Sequence, residues 1–125
     1  MSDPRTRAIP LELASRIELA RESWSAVLVS DKTVDDNHAS LGYSVFTPGF
    51  VSDDLSHSAD ELCFVVSGRG VIRLEDGEVE VKTQDGLFIP AKAWHTIVND
   101  AGEDLTMVFT FPWRDYPPTE RREAR

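Results

Sequence analysis

The chain has 125 residues, enough for one domain that buries a core without disulfides, and its single cysteine excludes an internal disulfide framework. Acids outnumber bases 22 to 13, a net charge of -9 that argues against nucleic acid as a partner, because that affinity is built from lysine and arginine contacts. No run approaches the roughly 20 apolar residues that span a bilayer, and residues 1–10 carry Asp3, Arg5 and Arg7 without an apolar stretch, so no membrane span and no secretory signal is expected and the expected location is cytoplasmic.

The chain reads as one domain, 1–125, with an N-terminal segment (1–22), a core (23–111) and a tail (112–125). Within 11–21, Leu11, Leu13, Ile17, Leu19 and Ala20 fit a helical period in part and an alternating one in part. Trp24–Val29 and 41–47 read as strands, closed by a turn at Thr47-Pro48-Gly49. A strand through Leu55 and His57 puts both on one face. Glu61–Ser67 and 70–74 follow, separated by Gly68-Arg69-Gly70, and Glu75-Asp76-Gly77 is a hairpin signal before 78–82. Strands at 87–89, His95–Val98 and Leu105–Phe111 complete the set. Pro112, Pro117 and Pro118 bar a helix or a central strand from the tail, which is rich in arginine (Arg114, Arg121, Arg122, Arg125) and either wraps the barrel or a partner subunit or ends in disorder. Many short strands between turn signals predict an all-β domain, closed or sandwiched.

Inward faces of such a domain converge, so His57, Glu61 and His95 can meet in one cavity. Two imidazole nitrogens and one carboxylate form a ligand set for a divalent ion that keeps coordination positions open. The chain has three histidines. The third, His38, sits in the turn-like Asp35-Asp36-Asn37-His38, where a surface position is expected, and Asp53 shares strand parity with Leu55 and His57. Cys63 lies two positions beyond Glu61 and either faces the site or packs as a small apolar group. Lys92 precedes His95 in a loop, to pair with a substrate carboxylate or to stay solvated. Tyr43, Phe88, Trp94 and Phe109 either wall a pocket or fill the core. Asn99 suits a turn.

The spacing carries a resemblance. Gly49, five residues, Leu55, one residue, His57, three residues, Glu61, six residues and Gly68 follow the first motif of the cupin superfamily, G-x5-H-x-H-x3-E-x6-G. Pro90, one residue, Lys92, two residues, His95, three residues and Asn99 follow the second, G-x5-P-x-G-x2-H-x3-N. The chain departs at Leu55, where the family has its first histidine, and at Gln84 and Lys92, where it has glycines. The stretch from Asp60 to Gly70 resembles small single-domain bacterial cupins, including those of aromatic polyketide cyclisation.

The resemblance implies a cupin jelly-roll barrel with a divalent metal ion (Fe, Mn, Ni or Zn) on His57, Glu61 and His95. Leu55, Cys63, Lys92, Tyr43, Phe88 and Phe109 are the expected substrate-pocket residues. A small-molecule substrate and a homodimer are the expected partners, the dimer forming through an outer sheet face that includes Phe64 and Val66, or through exchanged terminal strands; alternatively those residues pack on the second sheet. The function implied is Lewis-acid chemistry on a small carbonyl- or enol-containing substrate, of isomerase, lyase or cyclase type. An Fe(II)-dependent dioxygenase and a non-catalytic small-molecule-binding barrel with a degenerate metal site are the alternatives, the latter supported by Leu55.

Overall fold

Alternating side chains build eleven strands in the computed structural model, which describes residues 5–124; Asp3 and Arg125, named above, lie outside the described residues. The strands are β1 (Arg16–Glu18), β2 (Trp24–Val29), β3 (Ser40–Phe46), β4 (Asp54–His57), β5 (Glu61–Ser67), β6 (Arg69–Leu74), β7 (Gly77–Lys82), β8 (Gly86–Ile89), β9 (His95–Val98), β10 (Leu105–Phe111) and β11 (Thr119–Arg122). They form two antiparallel sheets, ordered β1-β2-β3-β10-β5-β8 and β11-β4-β9-β6-β7. The sheets face one another as a jelly roll rather than closing into a continuous barrel. No helix of the described residues is long and apolar enough to cross a membrane.

The ambiguous segment 11–21 becomes two 3-10 turns, Leu11–Leu13 and Ala20–Glu22, flanking the short β1, which pairs with β2. Of its apolar residues Leu19 packs against the core, whereas Leu13 and Ile17 are 71% and 58% exposed. The tail is held to its own chain. The Asp31 N–H donates to the Arg114 carbonyl (2.8 Å) and the Ser58 N–H to the Pro118 carbonyl (3.0 Å). Beyond the prolines, β11 pairs with β4 as an edge strand, the one sheet position such a segment tolerates.

Apolar side chains fill one part of the space between the sheets. Phe46, Phe50, Val65, Ile72, Val81, Leu105 and Met107 form this core, with the Phe46 and Phe50 rings stacked at 4.9 Å. Asn99 is fully buried beside it and holds a turn as expected: its Nδ2 donates to the Phe46 and Glu103 carbonyls and its Oδ1 accepts the Ala101 N–H. Towards the other end β3 turns small residues inward. A Cβ on Gly42 would stand 2.0 Å from Cζ of Phe109, so the Phe109 ring lies over a backbone without a side chain.

The motif glycines mark left-handed backbone, Gly49 and Gly68 both at φ +88°. Gln84 and Lys92 keep that conformation without glycine, at φ 73° and 68°. The left-handed region costs a residue with a Cβ more than glycine's extra chain entropy does. Gln84→Gly and Lys92→Gly are therefore each expected to stabilise the fold by about 0.5 kcal/mol, read as a higher midpoint in urea. Lys92 serves the fold through its backbone, whose N–H donates to the His57 carbonyl at 2.7 Å.

Candidate metal centre

Strand register brings the three ligand candidates together. Leu55 on β4 stands opposite His95 on β9, and Thr119 on β11 opposite His57. Glu61 opens β5, whose burial alternates so that Glu61, Cys63 and Val65 point inward while Leu62, Phe64 and Val66 point out. His57 Nε2 lies 3.2 Å and His95 Nε2 3.6 Å from the same Glu61 oxygen, Oε1. All three ligand atoms fall within 4.8 Å of one another, on residues that are all buried.

The hydrogen bonds behind the imidazoles settle their tautomers. Thr119 Oγ1 donates its one proton to the Pro117 carbonyl (2.9 Å), so it accepts from His57 Nδ1 at 2.7 Å. His95 Nδ1 lies 3.0 Å from the Ala93 carbonyl, which can only accept. Neutral imidazoles assigned in this way carry Nδ1–H and turn bare Nε2 lone pairs on Glu61 Oε1. Glu61 Oε1 and His95 Nε2 are buried without a hydrogen-bond partner. Three converging acceptors repel one another unless a cation stands among them, and two imidazoles with a carboxylate suit a divalent transition ion. The residues present fit the metal.

Glu61's other oxygen is already engaged, since the Cys63 thiol donates to Oε2 at 3.5 Å. Burial, and then the Glu61 charge, pushes Cys63 far above the ordinary thiol range, so it stays a donor. Burial alone would raise Glu61, but His57 and His95 more than offset it and bring its pKa down to about 2. Burial likewise works against a charge on His95, but Glu61 and the Ala93 carbonyl outweigh it and the net shift is upward.

These shifts predict how metal-free protein responds to pH. The lowered Glu61 contributes stability above its unfolded value of 4.5, lost as pH falls toward 2. The raised His95 contributes stability in full below its unfolded value of 6.5, lost as pH rises through its higher folded value. Chelator-treated protein is thus expected to be most stable between those two unfolded values, whereas the extra stability from added metal grows with pH as protons leave the imidazoles. Thermal melts across pH, with and without metal, check both arms.

The three residues lie on the wall of a cavity of ≈ 430 Å³. Leu55, Cys63 and Phe109 line it. The other three expected pocket residues do not, and each has a physical reason. Tyr43 faces outward and packs its ring 5.8 Å from Trp24. Phe88 stands opposite Leu62 on the outer face and is 59% exposed, because strand parity turns Leu87 and Ile89 inward instead. The Lys92 side chain is solvated. Of the further candidates, Trp94 lies under the Arg122 guanidinium (3.9 Å), His38 is exposed, and Asp53 lines the cavity with its carboxylate 3.9 Å from Arg121.

Sequence reasoning missed two residues from the tail. Tyr116 lines the cavity with its ring 5.4 Å from that of His57, and burial followed by the nearby Glu61 charge drives its phenol well above the ordinary range. Thr119 orients His57. The signal available for both was a tyrosine and a threonine among prolines in a segment otherwise dominated by charge. Behind the site, Asp54 is 1% exposed and accepts from Thr96 Oγ1 (3.0 Å) and Arg122 Nε (2.7 Å), which ties β11 to β4 and β9.

Comparison with known proteins agrees with this architecture. An uncharacterized protein of Methanocaldococcus jannaschii is 28% identical over 68 residues, 54% of this chain and 51% of that one, so the match spans about half the length of the curated relative. Among solved structures, the polyketide cyclase RemF from Streptomyces resistomycificus superposes with a TM-score of 0.77 at 18% identity, covering 94% of this chain and 85% of that one. A sugar phosphate isomerase from a cupin superfamily, from Silicibacter pomeroyi, gives 0.67 at 18%, covering 84% and 74%. At such identities the structural likeness is one of fold. The family described as "Cupin domain" matches residues 42–111, a span that carries both motif segments and the strands bearing His57, Glu61 and His95, and the chain belongs to that family.

Proposed function

We propose that this protein is a metal-dependent enzyme acting on a small organic molecule with a carbonyl or enol oxygen, in an isomerase, lyase or cyclase type of reaction. What supports the reading is the convergence of His57 Nε2, Glu61 Oε1 and His95 Nε2, all on buried residues and with Glu61 Oε1 and His95 Nε2 lacking a hydrogen-bond partner, on the wall of a mostly apolar cavity. An ion held there, iron, manganese, nickel or zinc, supplies Lewis acidity toward a substrate oxygen. The chain's own groups do the rest. Thr119 and Ala93 hold the imidazole tautomers, and the Cys63 thiol occupies the carboxylate oxygen that faces away from them. Tyr116 lines the cavity beside His57 with its phenol kept protonated at neutral pH and hydrogen-bonded to the Thr119 side chain, so it does not serve as a base. Apolar walls exclude water and strengthen each of these interactions.

A second reading uses the same residues for oxygen chemistry. Leu55, directly opposite His95, places no fourth ligand on that side, which suits joint binding of substrate and O2 at iron. Oxygen uptake that requires iron separates it from the first reading, which predicts activity under anaerobic conditions with zinc or manganese. The exposed strip of Leu62, Phe64, Val66 and Phe88 supports a homodimer across the outer face of the six-stranded sheet, to be checked by light scattering.

The deciding measurement is metal content by elemental mass spectrometry on untagged protein and on His57→Ala. Near-stoichiometric metal that disappears in a folded variant is expected. Wild-type protein that stays metal-free and gains no thermal stability from added zinc or manganese overturns the proposal. Thr119 offers a graded test: Thr119→Val is expected to weaken metal binding about 10–100-fold in competition with a chromophoric chelator, and Thr119→Ser to restore it.

A further inference from the structure

The cavity has a second polar feature away from the three metal-facing residues. Ser25 on β2 and Ser44 on β3 stand opposite one another, their hydroxyls 2.7 Å apart, and both line the cavity. Ser44 is paired with Met107, and Met107 with Val65, two inward positions along β5 from Glu61. Four residues of strand place that row roughly 13 Å from the Glu61 row. One hydroxyl proton is used between the two serines. The other remains to be donated, and the pair keeps lone pairs to accept. Between the ends the lining is apolar, with Leu55, Ile97, Phe109 and Met107 among it.

Charge narrows the ligand further. Apart from the histidines, the lining holds one fixed cation, Arg121, 57% exposed and facing Asp53 at 3.9 Å. No lysine or arginine of the described lining reaches the interior, and a divalent ion on Glu61 would leave a net charge of only +1 at that end, so a dianion or a phosphorylated sugar would enter without full neutralisation. A volume of ≈ 430 Å³ lies within the range of sites that enclose compact organic ligands.

We infer that the cavity takes an elongated, uncharged, largely apolar molecule, with one oxygen at the His57–Glu61–His95 end and a second held by the Ser25–Ser44 hydroxyl pair. The near end rests on the metal reading proposed above; the serine end stands without it.

The test uses fluorescence titration with 2,6-dihydroxynaphthalene, which has an oxygen at each end, and naphthalene, which has none. On zinc-loaded protein, Ser44→Ala is expected to weaken the dihydroxy probe about tenfold, the worth of one neutral hydrogen bond, and not to weaken naphthalene. If Ser44→Ala does not fold, Ser25→Ala asks the same question. An equal loss for both probes, or no loss for either, overturns the assignment of the serine pair. Oxalate or glucose 6-phosphate binding more tightly than the naphthalene probes overturns the charge argument. In metal-free His57→Ala protein the Ser44-dependent loss should persist. Its persistence in a protein that proves never to bind metal would retain the serine subsite while the metal reading alone fails.

Discussion

Glutamine at position 61 is expected to weaken metal binding by on the order of a thousandfold, beyond the 10–100-fold typical of losing an orienting partner behind a ligand. The substitution keeps shape and removes the charge. It also supplies an amide N–H2 that can turn toward His57 Nε2 or His95 Nε2, 3.2 and 3.6 Å from the present carboxylate oxygen, and satisfy the His95 Nε2 lone pair that now has nothing to accept. Glu61→Gln should therefore fold and melt cooperatively, carry no metal through gel filtration, and gain no stability from added zinc or manganese. Elemental analysis together with thermal melts reads all three. A variant that retains its metal would remove Glu61 from the ligand set.

Gly68→Ala is expected to cost about 3 kcal/mol, roughly a 12 °C fall in melting temperature for a domain of this size. Two effects combine. Gly68 sits at φ +88°, where a Cβ is strained. That Cβ would also stand 2.2 Å from the Asp104 carbonyl oxygen and 3.0 Å from Leu105 Cα, all backbone, so no side-chain rotation relieves the clash. Leu105 is fully buried and begins β10, the strand at the centre of the six-stranded sheet, so any displacement spreads into the core. Gly77 is the control: at φ +148° with nothing within 4 Å, its alanine variant meets backbone strain alone and should lose about 1 kcal/mol. Equal losses at the two glycines in chemical denaturation would show that strain alone sets the cost.

Much of this was legible in local pattern. A period of two, applied to Leu55 and His57 and to Glu61, Cys63 and Val65, assigned inward faces that the structure reproduces, because a slip of one residue would expose the buried row. The same rule goes astray when apolar character stands in for inwardness. β3 turns Gly42, Ser44 and Phe46 inward and Tyr43 outward, since the Phe109 ring occupies the space over Gly42 and Ser44 faces a cavity rather than a core. Phe88 repeats the lesson: parity with its neighbours, not its ring, decides its side. The role of the tail was the least readable. Thr119 acts through pairing with β4, some sixty positions earlier in sequence, Tyr116 meets His57 just ahead of that pairing, and no local pattern reports contacts of that separation.

That long-range pairing gives β11 a protective role. It covers the outer side of β4, the strand that carries His57, and leaves the sheet ending in a four-residue strand of mixed charge, Thr119–Arg122. Proteolytic cleavage between Phe111 and Thr119 would free β11 and leave β4 with a row of unpaired N–H and C=O groups, the template on which chains aggregate. The same cut would remove the hydroxyl that orients His57. Damage to the candidate metal site and exposure of a sticky edge are thus one event.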